Sequence, residues 1–127
     1  MMRFGLVCLG GALGSGARYR VSTAALRLLG PAFPWGTLTV NLVGSFLIVL
    51  IMHLGLTTTI VSPELRLFLT TGIMGGLTTY STFSYETLRY VQDGAPFMAA
   101  VNVLVTLCGC FLASVLGLWA GRALAGA

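Results

Sequence analysis

The sequence predicts an all-α membrane protein with four transmembrane helices, the third of which is broken near its middle. The chain is 57% hydrophobic and only 8% charged, whereas a soluble domain carries roughly a quarter charged residues. Its 127 residues suffice for about four spans of ~20 residues joined by short loops. A glycine pair and a cluster of hydroxyl side chains interrupt the third apolar segment. We therefore expect one integral membrane domain in a lipid bilayer.

The first span is expected over about residues 4–29. Gly10 and Gly14 form a pair of small residues four apart, a spacing that lets helix backbones approach closely. Arg18 and Arg20 lie well before the end of this segment. Either they extend toward the membrane surface, or they place positive charge in an aqueous vestibule and raise the local anion concentration.

The second and fourth spans, over about residues 37–56 and 97–122, each carry a stripe of polar side chains four residues apart. Residues at this spacing share one helix face, and four in register on the fourth span suggest a continuous hydrogen-bonding track. Asn41 is either a contact between helices or a group that binds a ligand. The stripes comprise Thr37, Asn41 and Ser45 on the second span, and Asn102, Thr106, Cys110 and Ser114 on the fourth.

The third span, over about residues 64–91, contains the candidate functional centre. Ser62, Pro63 and Glu64 form a helix-start signal. Farther along, Gly75-Gly76 is followed by hydroxyl residues, so we expect two half-helices joined at residues 74–78. Irregular backbone in the membrane survives only where protein or a water-filled path surrounds it. Carbonyl oxygens released at such a break can coordinate hard cations such as sodium.

The arginine distribution predicts insertion in both orientations. With four spans, three arginines lie on the side of the termini and four on the other side. An excess of positive charge on one side is what sets orientation, and this nearly equal split provides none. Two inverted copies would then form an antiparallel dimer about a twofold axis in the membrane plane. The first group comprises Arg3, Arg66 and Arg122, and the second comprises Arg18, Arg20, Arg27 and Arg89.

The composition argues against an enzyme and against nucleic-acid binding. The sequence has one histidine and three acidic residues, with no catalytic triad, phosphate loop or paired-cysteine motif. A net charge of +4 comes without a basic stripe. The three cysteines sit in apolar runs without metal-ligand spacing, so we expect free thiols.

Two transport functions remain. A proton-coupled exporter of organic cations needs a carboxylate inside the membrane, and Glu86 is the only candidate. A passive path for a small anion agrees better with the polar stripes, which supply hydrogen-bond donors without fixed negative charge. Tyr80 and Phe83, three residues apart, either pack in the core or offer the positive edges of their rings to an anion.

Three motifs closely resemble the Fluc/CrcB family of fluoride channels, and the resemblance covers essentially the whole chain. They are GGALGSGARY over residues 10–19, GTLTVNLVGS over residues 36–45, and GGLTTYSTFS over residues 75–84 followed by Glu86. The resemblance implies a dual-topology homodimer in the bacterial plasma (inner) membrane. It implies two antiparallel pores that export toxic fluoride passively from the cytoplasm.

The resemblance also implies the roles of individual residues. A structural sodium ion would lie on the twofold axis, held by the backbone carbonyls of Gly75 and Thr78 from both subunits. Asn41 would donate to the ion, Tyr80 and Phe83 would line the pores, and Arg18 would stand in the vestibule. The track on the fourth helix would comprise Thr106, Cys110 and Ser114.

This chain departs from the family pattern at two of those positions. Tyr80 stands where the family has phenylalanine, and its hydroxyl adds a donor and an acceptor where a ring hydrogen would point. The hydroxyl either binds fluoride more tightly and slows its exit, or bonds elsewhere and tilts the ring. Cys110 stands where a hydroxyl residue is common and is a weaker donor.

Overall fold

The computed structural model describes residues 1–126, which form an all-helical chain without β-strands, as the sequence predicts. The first two helices are α1, Met2–Leu29, and α2, Trp35–Thr57. A third, interrupted element runs from Pro63 to Gln92 and is followed by α6, Pro96–Ala125. In this part of the chain, α2 and α6 are the helices long and apolar enough to cross a membrane.

The third element consists of four helical pieces. It begins with α3, Pro63–Leu67, continues as a π-helical segment, Phe68–Met74, and then as α4, Gly75–Leu77. Thr78 and Thr79 are extended, with φ/ψ of −80°/154° and −151°/112°, and α5 follows over Tyr80–Gln92. The predicted break is therefore present. Thr78 is the last residue of the joint expected at residues 74–78, and Thr79 lies one position beyond it.

The position of the break shows that the glycine pair has a different role from the one expected. Gly75 and Gly76 remain helical, and a Cβ on Gly76 would lie 2.5 Å from the carbonyl oxygen of Gly11 on α1. Glycine is needed here for close packing. The chain leaves the helix at the threonines that follow, where the Thr79 hydroxyl accepts from Thr82 N at 3.2 Å and caps α5.

Helix α1 packs backbone against backbone on the third element. A Cβ on Gly10 would lie 2.7 Å from the Phe68 carbonyl oxygen, and one on Gly14 would overlap the Ile73 carbonyl oxygen. The predicted role of this glycine pair is therefore confirmed. Arg3 and Glu64 form an ion pair at 3.4 Å, so α1 and the third element start side by side and run parallel.

Helices α2 and α6 pack along each other, and α2 also contacts α1, where a Cβ on Gly36 would lie 2.7 Å from the Ser22 Cα. A Cβ on Gly117 would overlap the Phe46 carbonyl oxygen, so the two helices also approach at backbone distance. Large apolar side chains on α6, among them Phe97, Phe111 and Trp119, are more than half exposed. An outer surface of this kind suits lipid or a partner helix, in agreement with a membrane protein.

Candidate anion groove

A groove of about 310 Å³ lies between α2, the helix break, the start of α5 and α6. Its lining combines side chains from the two polar stripes with the backbone of the break. Five of the seven residues predicted for an anion path line it, namely Asn41, Tyr80, Phe83, Thr106 and Cys110. The fold thus brings residues 41 and 110 to one cavity, although they are far apart in the sequence.

Asn41 binds the backbone of the break with both ends of its amide. Its Oδ1 accepts from Thr79 N at 2.8 Å, and its Nδ2 donates to Thr79 O at 3.1 Å. Asn41 is 9% exposed and Thr79 is 6% exposed. The amide nitrogen carries two hydrogens, so one remains after the bond to Thr79. The two interpretations of Asn41, helix contact and ligand group, are therefore compatible.

The two predicted rings stand together on the first turn of α5. The ring centroids of Tyr80 and Phe83 are 5.6 Å apart, and the ring planes are inclined by 59°. Such tilted pairs direct the positive edge of one ring toward the face of the other. Phe83 is buried, whereas Tyr80 is 76% exposed. One wall of the groove therefore stands open in a single copy of the chain.

The polar stripe on α6 reaches the groove over only part of its length. Thr106 and Cys110 line the groove, but Ser114 does not. The Ser114 hydroxyl is 3.0 Å from the Cys110 carbonyl oxygen and 3.4 Å from that of Ser45. Arg18, on α1, is half-buried and likewise does not line the groove.

Gly75 and Thr78, the residues proposed to hold a cation, have carbonyl groups that are not used in a regular helix ladder. In an unbroken helix the amides of Thr79 and Thr82 would bond to these two carbonyls. Thr79 N instead donates to Asn41, and Thr82 N donates to the Thr79 hydroxyl. Neutral oxygen atoms are suitable ligands for a hard cation, so this donor set fits sodium.

A second buried asparagine supports the groove from α6, and spacing alone does not distinguish it from the other members of its stripe. Asn102 is 1% exposed, and its Nδ2 donates to the Thr87 hydroxyl at 2.9 Å. Thr87 in turn donates to the Phe83 carbonyl oxygen at 2.8 Å. The Thr106 hydroxyl lies 3.5 Å from Asn102 Oδ1. Asn102 thus connects a groove hydroxyl to the backbone of the buried ring.

Glu86 lies outside the groove. Its Oε1 accepts from the Thr37 hydroxyl at 2.7 Å, and its side chain lines two other cavities of about 300 and 240 Å³ near the turn that precedes α2. Its Oε2 is buried and has no hydrogen-bond partner among residues 1–126.

Comparison with known proteins shows similarity along almost the whole chain. The family described as "CrcB-like protein, Camphor Resistance (CrcB)" matches residues 5–118. A protein of Anaeromyxobacter sp. (strain K), named "Fluoride-specific ion channel FluC", is 55% identical over 126 residues, covering 99% of this chain and 100% of the relative. A protein of the same name from Geobacter sulfurreducens is 51% identical over 114 residues, covering 90% and 92% respectively.

Proposed function

The chain belongs to the CrcB-like protein family, and we propose that it is a fluoride-specific ion channel that exports fluoride passively from the cytoplasm. The observation that carries this proposal is 55% identity over nearly the full length to a protein named as such a channel. Because the family is one of ion channels, the chain is not an enzyme. We place it in the bacterial plasma (inner) membrane.

The chemistry of the groove supports an anion as the transported species. Fluoride is small and strongly hydrated, so a path that accepts it must replace water with donors at close range. Positive partial charge comes from the free amide hydrogen of Asn41 and from the edges of the Tyr80 and Phe83 rings, so no mobile cation is needed to accompany the anion. Among residues 1–126, none contributes a carboxylate to the groove lining. Thr106, Cys110 and Ser114 continue the donors along α6, and Arg18 attracts anions at the vestibule.

The open wall of the groove supports the proposal that a second copy of the chain covers it. Tyr80 is 76% exposed in one copy, so a second copy packed against this wall would bury the ring and close the groove. We infer an antiparallel, dual-topology homodimer with two pores. The Gly75 and Thr78 carbonyls of both copies then meet at the axis, where four oxygen ligands hold one structural sodium ion.

The test is anion efflux from reconstituted liposomes. Fluoride and chloride efflux are compared for the parent protein and for two groove variants, Asn41→Asp and Phe83→Ile. The parent is expected to pass fluoride and exclude chloride, and each variant is expected to slow fluoride at least ~10-fold, because one interaction with the ion in transit is worth over 1 kcal/mol. Equal flux of both anions would contradict selectivity. Uptake of an organic cation driven by a pH gradient would favour an exporter that uses Glu86.

A further inference from the structure

We propose that Asn41, besides lining the groove, is the positioning residue that keeps the helix break open and frees the Gly75 carbonyl for the cation. The inference rests on the structural sodium proposed above. It assigns to one side chain a connection between the anion groove and the cation site.

The hydrogen bonds at the break lead to this assignment. In a continuous helix, Thr79 N–H would donate to the Gly75 carbonyl four residues earlier. It donates instead to Asn41 Oδ1 at 2.8 Å, and the Thr79 carbonyl accepts from Asn41 Nδ2 at 3.1 Å. The asparagine amide thus takes the place of the Gly75 carbonyl as acceptor for Thr79 N–H, and it adds a donor to the carbonyl of the residue that caps α5. The Gly75 carbonyl loses its usual donor as a direct result.

Because Asn41 and Thr79 are buried, water cannot easily replace the hydrogen bonds between them. Asn41 and Thr79 are both at most 9% exposed, so water does not readily substitute for either bond. A buried N–H without an acceptor costs about 1–3 kcal/mol. When Oδ1 is removed, the acceptor nearest along the chain for Thr79 N–H is the Gly75 carbonyl. The last turn of α4 then extends toward Thr79 and withdraws that oxygen from the cation.

The Thr78 carbonyl loses its helix donor for a different reason, which does not involve Asn41. The role of Asn41 can therefore be tested apart from that of the Thr79 cap. Thr82 N–H, its usual donor, is held by the Thr79 hydroxyl at 3.2 Å. Loss of Asn41 therefore removes one cation ligand per chain and leaves the other. The expected effect is weaker sodium binding by a chain that is otherwise folded.

The experiment measures sodium binding without measuring transport. The melting temperature of the purified protein in detergent is recorded against sodium chloride, with N-methylglucamine chloride keeping the ionic strength constant. A ligand that binds the folded state raises the melting temperature with its concentration. Asn41→Leu removes the acceptor for Thr79 N–H, and Asn41→Asp retains it. Ser45→Ala, one turn along the same face of α2 and also in the groove, is the matched control.

The parent and Ser45→Ala are expected to share a half-saturating sodium concentration within about twofold, whereas Asn41→Leu raises it at least ~10-fold, corresponding to one lost interaction. Asn41→Asp, which keeps the acceptor and adds a negative charge, is expected to bind sodium at least as tightly as the parent. Asn41→Ala replaces Asn41→Leu if the latter does not fold. An unchanged sodium response in the variant without the acceptor overturns the role of Asn41 alone. A parent that does not respond to sodium overturns the sodium proposal and this inference together, while fluoride efflux by the parent still supports the channel.

Discussion

The two faces of the third element differ in what makes contact there. The seam toward α1, formed by Gly10, Gly14, Gly72 and Gly76, brings backbone against backbone, and a Cβ on Gly72 would lie 2.9 Å from the Gly10 Cα. The face toward α2 and α6 carries the groove, where side chains and released backbone groups line a cavity of about 310 Å³. Glycines allow backbone contact along the seam, whereas on the other face Val40 packs on Met74 and Leu77, and the groove lies beside this apolar contact.

This difference explains how polar backbone is tolerated at the break. Irregular backbone in a membrane must be enclosed by protein or by an aqueous path. The seam encloses it on one side at backbone distance. On the other side, Asn41 satisfies both backbone groups of Thr79. The glycines therefore determine the close approach, whereas Asn41 and Thr79 determine where the helix stops.

The largest effect is expected from adding a methyl group to the seam. A Cβ on Gly14 would overlap the Ile73 carbonyl oxygen, and backbone on both sides cannot move aside as a flexible side chain would. Gly14→Ala is expected to destabilise the protein by about 3 kcal/mol or more, at the upper end of overpacking effects. Thermal melting in detergent measures this change.

The matched control is Gly16→Ala on the same helix, where an added Cβ meets no atom of the described residues within 4 Å, apart from the backbone of α1 itself. It is expected to be neutral or to stabilise the helix by up to ~1 kcal/mol, since alanine is the better helix former. Equal destabilisation by the two substitutions would contradict the description of the seam as a backbone contact.

A smaller effect, confined to transport, is expected when the support of the groove is removed. Asn102→Leu deletes the bond to Thr87 and releases the Thr106 hydroxyl, while it keeps a side chain branched at Cγ in a site that is 1% exposed. Fluoride efflux from liposomes is expected to fall about tenfold, because one buried hydrogen bond is worth roughly 1–2 kcal/mol.

The same substitution in a Thr106→Val background separates positioning from general destabilisation. If Asn102 acts partly through Thr106, the two effects are less than additive. Fully additive losses, together with a lowered melting temperature, would mean that Asn102 only stabilises the packing of α5 on α6.

The smallest effect is expected at the edge of the groove. Tyr80→Phe removes a hydroxyl from a side chain that is 76% exposed in one copy and restores the ring that the family pattern has at this position. Fluoride efflux is expected to be equal to that of the parent or up to about threefold faster, because a donor that retains the ion is lost. Abolished efflux would show instead that the phenol is required for conduction.

The sequence predicted features that depend on spacing and failed on features that depend on distant partners. The Gly10–Gly14 pair and the stripes through Asn41 and Thr106 follow from helix periodicity. The break was assigned to the glycine pair, but its position depends on Asn41, 38 residues from Thr79. Ser114, in the same stripe, stays a prediction for the anion path; what spacing alone did not give is that its hydroxyl is directed to the Ser45 and Cys110 carbonyls. Three-dimensional packing decides both points.

The measurement that tests the groove as the fluoride path most directly uses its own thiol. Cys110 lines the groove, whereas Cys8 and Cys108 are exposed free thiols elsewhere. A small mercurial reagent is added to liposomes that contain the parent, Cys110→Ser, or a variant with Cys8→Ala and Cys108→Ala. We predict that the reagent blocks fluoride efflux through the parent and the double variant and spares Cys110→Ser. Persistent block of Cys110→Ser, or efflux through the fully modified double variant, would contradict this path.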